Sequence, residues 1–233
     1  MNWETLADYD ALSDRAAKIF LSAIRRNPRV VLGLPTGRTP VKMYERVVAA
    51  CSREYHCFRD VVMFNLDEYV GIESAHPGSY CTFMNQHLFA HVDMEKSNAH
   101  IPNGMASDLA AECARYEREI AAAGGLDLTF LGLGSNGHIG FNEPGTPFDS
   151  RTRVVALTES TRAANAPLFP DGNVPTHAIT MGIGTILESK SIVLLASGDK
   201  KRAAIERLRG GEITEHFPAS ALWRHPEVTV LTA

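Results

Sequence analysis

Residues 30–66 read VVLGLPTGRTPVKMYERVVAACSREYHCFRDVVMFNL and contain the pattern that decides the fold. The two ends, residues 30–34 and 60–66, are apolar runs without alternation, which is typical of strands buried on both faces. Between them, residues 41–50 are predicted to form a helix. A strand, a helix and a second strand in this order favour a parallel sheet covered by helices.

The same alternation continues in both directions along the chain. Further strands are predicted at residues 2–6 (an edge strand), 126–133, 192–196 and 228–231. Further helices are predicted from the cap Asp8 to Pro28, over 109–120 with Ser107 as N-cap, and over 200–208. We therefore expect an α/β fold, an open three-layer sandwich around a mainly parallel, Rossmann-like sheet. No repeat or linker divides the sequence, so one domain over residues 1–233 is expected, with binding at the irregular stretches 68–80 and 132–152.

Composition and charge restrict the classes of function. A net charge of −4 with scattered Arg and Lys residues argues against a nucleic-acid or anionic-membrane surface. No apolar run approaches the roughly 18 residues that a membrane span needs. The cysteines form no CxxC pair, and the first residues are too acidic for a signal peptide. We therefore expect a cytoplasmic protein whose cysteines are reduced thiols, and a disulfide or a metal site are the alternatives for these cysteines. These cysteines are Cys51, Cys57, Cys81 and Cys113.

Three segments between a strand and a helix offer groups that could hold an anion. In residues 35–40, Gly37 lets the backbone approach a ligand and Thr39 offers a hydroxyl. The free N–H groups of the next helix favour a phosphate there, although the nucleotide P-loop motif is missing. Residues 197–201 and Arg162 supply further cations, which a solvated helix start and a surface arginine explain equally well.

The glycine-rich stretch 132–144, GLGSNGHIGFNEP, contains a histidine and a carboxylate five residues apart. Its glycines formally match the GxGxxG motif of dinucleotide-binding folds, but later glycines and prolines break the helix that this motif must open. An imidazole beside a carboxylate is a usual arrangement for moving a proton near neutral pH. Because a lone histidine is more often structural, spacing alone leaves the role of His138 and Glu143 open.

Acidic residues follow the strand 60–66, at Asp67 and Glu68. Residues just past the carboxyl end of a parallel strand face the crevice where open α/β sheets bind ligands. A carboxylate here could abstract a proton next to a carbonyl, cap the next segment or bind a metal. No metal is expected, because His87 and His91, four apart on a predicted helix, have no third ligand nearby and no HExxH motif occurs.

Seven motifs taken together resemble the glucosamine-6-phosphate deaminase family, also called glucosamine-6-phosphate isomerase. They are LPTGRTP at 34–40, FNLDEYVG at 64–71, HPGSY at 76–80, GLGSNGHIGFNEPGTPF at 132–148, SRTR at 150–153, STRAAN at 160–165 and SGDKK at 197–201. They follow the family's order over nearly the whole chain, and the combination of DEYVG with NGHIGFNEP is specific. The resemblance implies conversion of glucosamine 6-phosphate and water into fructose 6-phosphate and ammonia, without a cofactor.

The resemblance also implies roles for individual residues. Asp67 matches the base that moves a proton between C2 and C1 of the open sugar. His138 matches the residue that opens the sugar ring, supported by Asn136 and Glu143. The residues that match the substrate's phosphate-binding set are Gly37, Arg38, Thr39, Arg162 and Lys201. Lys201 is chosen over Lys200 because it keeps the family's spacing from residues 197–198.

The chain departs from the larger allosteric members of the family at two places. Position 136 is Asn where those members carry Asp, so it can orient His138 but cannot take up a proton. The sequence stops soon after 228–231, and the segment 153–155 lacks the lysine that those members use for an activating sugar. We expect a short, non-allosteric enzyme, monomeric or homo-oligomeric, that N-acetylglucosamine 6-phosphate does not activate.

Three other functions stay open at this point. Deamination of galactosamine 6-phosphate differs only in the configuration at C4. A 6-phosphogluconolactonase shares the fold, although ester hydrolysis has no use for a base at C2. A sugar-phosphate sensor of a transcription regulator needs a DNA-binding module, and no helix-turn-helix pattern precedes residue 30.

Overall fold

The computed structural model describes residues 1–52, 58–169 and 172–233. The strands are Asn2–Thr5 (β1), Val31–Leu34 (β2), Val62–Asn65 (β3), Asp67–Tyr69 (β4), Ala99–His100 (β5), Leu128–Gly132 (β6), Arg153–Ala156 (β7), His177–Thr180 (β8), Ser191–Ala196 (β9) and Val228–Thr232 (β10). The α-helices are Tyr9–Arg26 (α1), Val41–Cys51 (α2), Tyr80–His87 (α3), Leu109–Ala122 (α4), Glu159–Asn165 (α5), Ile183–Leu187 (α6) and Arg202–Arg209 (α7). Short 3-10 turns are Phe89–His91, Lys96–Asn98, Ala166–Leu168, Asp199–Lys201 and Pro218–Arg224.

A parallel sheet forms the middle layer, with seven strands among the described residues in the order β1-β10-β9-β6-β2-β3-β5. Successive side chains of each strand enter opposite cores: in β9, Ile192 and Leu194 face one core while Val193 faces the other. Helices α1, α2 and α3 cover one face, and α4, α6 and α7 cover the other. The expected three-layer α/β sandwich is therefore confirmed.

A second sheet, which the sequence did not predict, has the order β4-β8-β7 and is antiparallel. The chain leaves β3, passes Leu66 and enters β4 at once, so the stretch 68–80 expected to be irregular begins inside a strand. Asp67 stands opposite Thr180 in the register of this sheet. Consequently Asp67 is held by strand pairing on a rigid element instead of lying in a loop.

Two helix ends differ from expectation. Asp8 caps α1 as predicted, accepting from the backbone N–H three residues on at 2.8 Å. Helix α4 is capped by Asp108 and not by Ser107, because the Asp108 carboxylate accepts the backbone N–H of Ala111, in the first turn, at 2.9 Å. Helix α3 ends at His87, and His91 lies in a separate 3-10 turn, so these two histidines do not share a helix.

Within the described ranges, no helix is long and apolar enough to cross a membrane. The same part of the chain contains no group of three or more His, Cys, Asp or Glu side chains that could hold a metal ion. Cys81 and Cys113 are present as thiols. Cys57, another of the thiols predicted from the sequence, lies outside the described residues.

Candidate active site

Four neighbouring strands carry the predicted site segments at their carboxyl ends. Strands β9, β6, β2 and β3 lie side by side in the sheet. Residues 197–201 follow β9, residues 134–148 follow β6, residues 35–40 follow β2, and Asp67 comes shortly after β3. From β2 the chain adds its next strand, β3, on one side, and from β6 it adds β9 on the other side. Open α/β sheets bind ligands in the crevice at such a topological switch point, here between β6 and β2. The topology therefore brings together four segments that are far apart in sequence. Residues 134–148 are called the site loop below.

Asp67 and Glu68 have separate roles, which the sequence left open. The Glu68 carboxylate accepts the backbone N–H groups of Tyr69, Tyr80 and Cys81 at 2.8, 2.9 and 2.9 Å. The N–H groups of Tyr80 and Cys81 lie in the first turn of α3 and have no partner within the helix, so Glu68 acts on this helix as a cap does. Because neighbouring side chains of a strand point to opposite faces, the Asp67 carboxyl is turned away from this cap.

The Asp67 carboxyl is buried against the site loop. A Cβ atom placed on Gly140 would lie 3.4 Å from Oδ2 of Asp67, so the loop backbone passes close to the carboxyl group. Burial, together with the charge of Glu68, raises the pKa of Asp67 to about 8. No hydrogen bond from the described residues stabilises its charged form. Such a group exchanges a proton readily near neutral pH.

Three side chains of the site loop form a hydrogen-bonded chain. Nδ1 of His138 lies 2.8 Å from Oδ1 of Asn136, and Nδ2 of Asn136 donates to Oε2 of Glu143 at 2.7 Å. A carboxylate only accepts, so Asn136 turns its NH2 group to Glu143 and its oxygen to His138. We infer that His138 carries its proton on Nδ1, which leaves Nε2 as an acceptor. The direct distance from Nδ1 to Glu143 is 3.8 Å, so Asn136 is the link.

The surroundings of His138 keep its imidazole neutral. Burial lowers its pKa, the charge of Glu143 raises it in part, and the ammonium of Lys201 lowers it further. A Cβ atom on Gly134 would lie 2.4 Å from the ring, so only glycine allows the imidazole to rest on the backbone there. The ring is thus held in place and within electrostatic reach of Lys201.

The loop after β2 presents backbone groups at the edge of the sheet. Gly37 has φ +102°, a left-handed conformation that favours glycine. The carbonyl groups of Arg38 and Thr39 accept from the hydroxyl of Tyr9 at 2.9 and 3.0 Å, which ties this loop to α1. The loop is exposed on its outer side, as a binding site for a phosphate requires.

Lys201 and Lys200 differ in their surroundings. The helix predicted from residue 200 begins instead at Arg202, because residues 199–201 form a 3-10 turn after Gly198. Lys201 is half-buried and burial lowers its pKa, whereas Lys200 is exposed. Of the two, Lys201 is the one whose charge acts on His138.

Arg162 faces a different part of the molecule. Its Nη2 donates to the carbonyl of Val174 at 3.2 Å, and the side chain lines a cavity of about 760 Å³ with residues from 70–76 and 172–176. Among the described residues, no hydrogen bond or ion pair joins it to the loop 37–39 or to Lys201. Its place in the phosphate-binding set stays a prediction.

Asn142 and Arg153 fix the base of the site loop. The fully buried amide of Asn142 donates to the carbonyl groups of Ile139 and Met181, each at 2.9 Å, and accepts from Nη1 of Arg153 at 2.9 Å. Such a satisfied buried amide favours one conformation of the loop. Its asparagine lies in the quoted motif, but the spacing did not single it out.

Thr161, the residue before Arg162 on α5, is a further site residue that the sequence pattern did not single out. Its hydroxyl donates to Oε1 of Glu143 at 2.7 Å, the carboxylate oxygen that Asn136 leaves free. The STRAAN motif includes Thr161, but only the position of α5 against the site loop shows that the two residues meet.

Comparison with known proteins places this chain in a family. The sequence model for the family described as glucosamine-6-phosphate isomerases/6-phosphogluconolactonase matches residues 5–231. The chain is 55% identical over 232 residues to the glucosamine-6-phosphate deaminase of Lysinibacillus sphaericus, covering 99% of this chain and 98% of that protein. It is 50% identical over 224 residues to glucosamine-6-phosphate deaminase 1 of Bacillus subtilis, covering 96% and 93%.

Solved structures agree with this relationship. A structure described as a monomeric glucosamine-6-phosphate deaminase has a TM-score of 0.97 at 49% identity, covering 100% of this chain and 97% of that one. The 6-phosphogluconolactonase of Thermotoga maritima, with a TM-score of 0.77 at 19% identity over 99% and 98%, shares the fold alone. The resemblance drawn from the motifs is confirmed. The chain belongs to the family of glucosamine-6-phosphate isomerases and 6-phosphogluconolactonases.

Proposed function

We propose that this chain converts glucosamine 6-phosphate and water into fructose 6-phosphate and ammonia. The observation that carries the proposal is the meeting of Asp67, a buried acid with a pKa of about 8, with the loop that presents Nε2 of His138. One group suits proton transfer between two carbons, and the other suits transfer between two oxygens. Relatives about half identical over nearly the full chain bear the name of this activity.

Ring opening comes first and uses His138. Its Nε2 takes the proton of the anomeric hydroxyl and gives it to the ring oxygen as the bond from C1 to that oxygen breaks. The open-chain amino aldehyde results. Asn136 and Glu143 hold the proton on Nδ1, and the charge of Glu143 favours the transient imidazolium. Asn136 itself exchanges no proton, so its role is orientation.

Enolisation follows and uses Asp67. Its carboxylate removes the proton from C2 while a proton of the substrate's ammonium group passes to O1, which gives an enolamine. The carboxyl group then delivers its proton to C1, which leaves a protonated imine at C2. Water adds to this imine, and collapse of the adduct releases ammonia and fructose 6-phosphate. The raised pKa suits the task, because the carboxyl group must hold the proton between the two carbons. These steps need no cofactor and no metal.

The phosphate group fixes the sugar over these residues. The exposed loop of Gly37, Arg38 and Thr39 leads into α2, whose N-terminal end favours an anion, and Lys201 offers a half-buried ammonium. Arg162 joins them only if it leaves the carbonyl of Val174. A grip at the far end of the sugar supplies the orientation that proton transfer at C1 and C2 requires.

The first test is ammonia release by the purified protein with EDTA present and no metal added. We expect rapid release from glucosamine 6-phosphate, slow or no release from galactosamine 6-phosphate, and no hydrolysis of 6-phosphogluconolactone. Preference for the galacto sugar would keep the mechanism and change the substrate. Lactone hydrolysis without ammonia release would overturn the proposal, and inactivity on all three would favour the sensor.

Regulation and assembly are part of the proposal. The segment 153–155 has no lysine, and its Arg153 is already bonded to Asn142, so we expect no activation by N-acetylglucosamine 6-phosphate. Substrate saturation should be hyperbolic with and without that sugar. A fall in half-saturation when it is added would contradict this expectation. We expect a monomer in the cytoplasm, as one similar structure is described as monomeric, and sedimentation at assay concentration checks the assembly.

A further inference from the structure

Thr161 completes a chain of hydrogen bonds that ends at the imidazole of His138. Its hydroxyl has two partners, Oε1 of Glu143 at 2.7 Å and Oγ1 of Thr158 at 3.0 Å. Since the carboxylate only accepts, Thr161 donates to it and receives the hydroxyl proton of Thr158. Asn136 donates to the second oxygen of Glu143 at 2.7 Å. Both carboxylate oxygens are thus fixed, one by the site loop and one by α5.

We propose that Thr161 is a positioning residue for ring opening, which acts by keeping the Glu143 carboxylate beside the imidazole of His138, with Oε2 at 3.8 Å from Nδ1. The inference rests on the proposed function and adds to it a residue outside the site loop. If Thr161 loses its hydroxyl, the Glu143 side chain is held at one oxygen only and can turn toward solvent. The Asn136 amide keeps its orientation, because its Oδ1 also accepts the backbone N–H of His138 at 3.1 Å. The negative charge of Glu143 moves away from the ring, so the imidazolium that forms during ring opening is less stabilised.

The kinetic test compares three variants. Thr161→Val keeps the shape of the side chain and removes its hydroxyl, whereas Thr161→Ser keeps the hydroxyl. Ser160→Ala is the control, because it removes an exposed neighbouring hydroxyl whose one hydrogen-bond partner among the described residues is Thr158. We expect Thr161→Val to lower kcat about 10- to 100-fold, the effect of losing a hydrogen bond to a charged group, with KM changed less. Thr161→Ser should retain most of the rate, and Ser160→Ala nearly all of it. Slower ring opening should also reduce the isotope effect of deuterium at C2.

A second readout does not depend on turnover. A pH titration of the imidazole by nitrogen-15 NMR, assigned with His138→Gln, should show a lower pKa for His138 in Thr161→Val than in the parent protein, because the charge of Glu143 is no longer held beside Nδ1. Parent-like kcat and a parent-like titration of His138 in Thr161→Val would overturn the inference, as would equal losses in Thr161→Val and Ser160→Ala. If the parent releases no ammonia, the proposed function fails, and the titration still decides whether Thr161 positions Glu143 beside His138.

Discussion

Replacing Asp67 by Asn should reduce kcat by about 10²- to 10⁴-fold, which is the usual contribution of a positioned proton-transfer group. The amide keeps the size of the side chain but cannot take the proton from C2. Ring opening does not use Asp67, so exchange of the two anomers of bound substrate should continue. Ammonia release and anomer exchange by NMR, measured on the same sample at pH 8, check both parts of the expectation.

The same substitution should stabilise the protein, increasingly so as the pH rises. Burial raises the pKa of Asp67 to about 8, against an ordinary value near 4. Between these values the folded state holds a proton that the unfolded chain has released, so the free energy of unfolding falls as pH increases. Asparagine does not titrate. The gain in Tm of Asp67→Asn over the parent should therefore grow from about pH 5 to pH 8 and then level off.

Glu68→Gln is the matched control, because Glu68 is also a buried acid on β4. Its two carboxylate oxygens accept three backbone N–H groups, and the NH2 group of a glutamine cannot accept any of them. Glu68→Gln should therefore lower the Tm through the lost buried hydrogen bonds, in contrast to Asp67→Asn. The charge of Glu68 also raises the pKa of Asp67, so the acid limb of kcat/KM should move to lower pH in this variant. A parent-like rate in Asp67→Asn, or a Tm gain that is flat with pH, would contradict the assignment of Asp67 as a buried base.

The inner strands of the parallel sheet could be predicted because they are buried on both faces, and their apolar runs remain recognisable even when only four residues long. The edge strand β5 was not predicted, because it has two residues and is only partly buried. The antiparallel sheet could not be predicted, because its strands have three or four residues and no pattern separates them from loop. The N-cap of a helix was predicted correctly where a single polar residue precedes the helix, as at Asp8. Before α4 both Ser107 and Asp108 could be the N-cap, and the backbone conformation decides which of them it is.

The candidate site shows a similar division. That Asp67, the loop 35–40 and the site loop meet could be predicted, since carboxyl ends of parallel strands share one edge of the sheet. The order of contacts from His138 through Asn136 to Glu143 could not, because it depends on the turns that the glycines allow. Thr161 was missed for the same reason, since its contact depends on how α5 lies against the site loop.

Lys201→Met should raise the KM for glucosamine 6-phosphate about 10- to 100-fold, while Lys200→Met changes it little. A half-buried ammonium that faces a phosphate forms a hydrogen bond between charged groups, whereas an exposed lysine stays hydrated and contributes little. Lys201 also lowers the pKa of His138 by its charge, so its loss should move the titration of that imidazole to higher pH.

Steady-state kinetics of both lysine variants, together with a pH titration of His138 by NMR, separate the two effects. A raised KM with a shifted titration in Lys201→Met alone places the phosphate at the carboxyl end of β9, beside His138. A shifted titration without a change in KM would mean that Lys201 only tunes the imidazole. The phosphate would then have to lie nearer Arg162 and the cavity between 70–76 and 172–176, which Arg162→Met in the same assay decides.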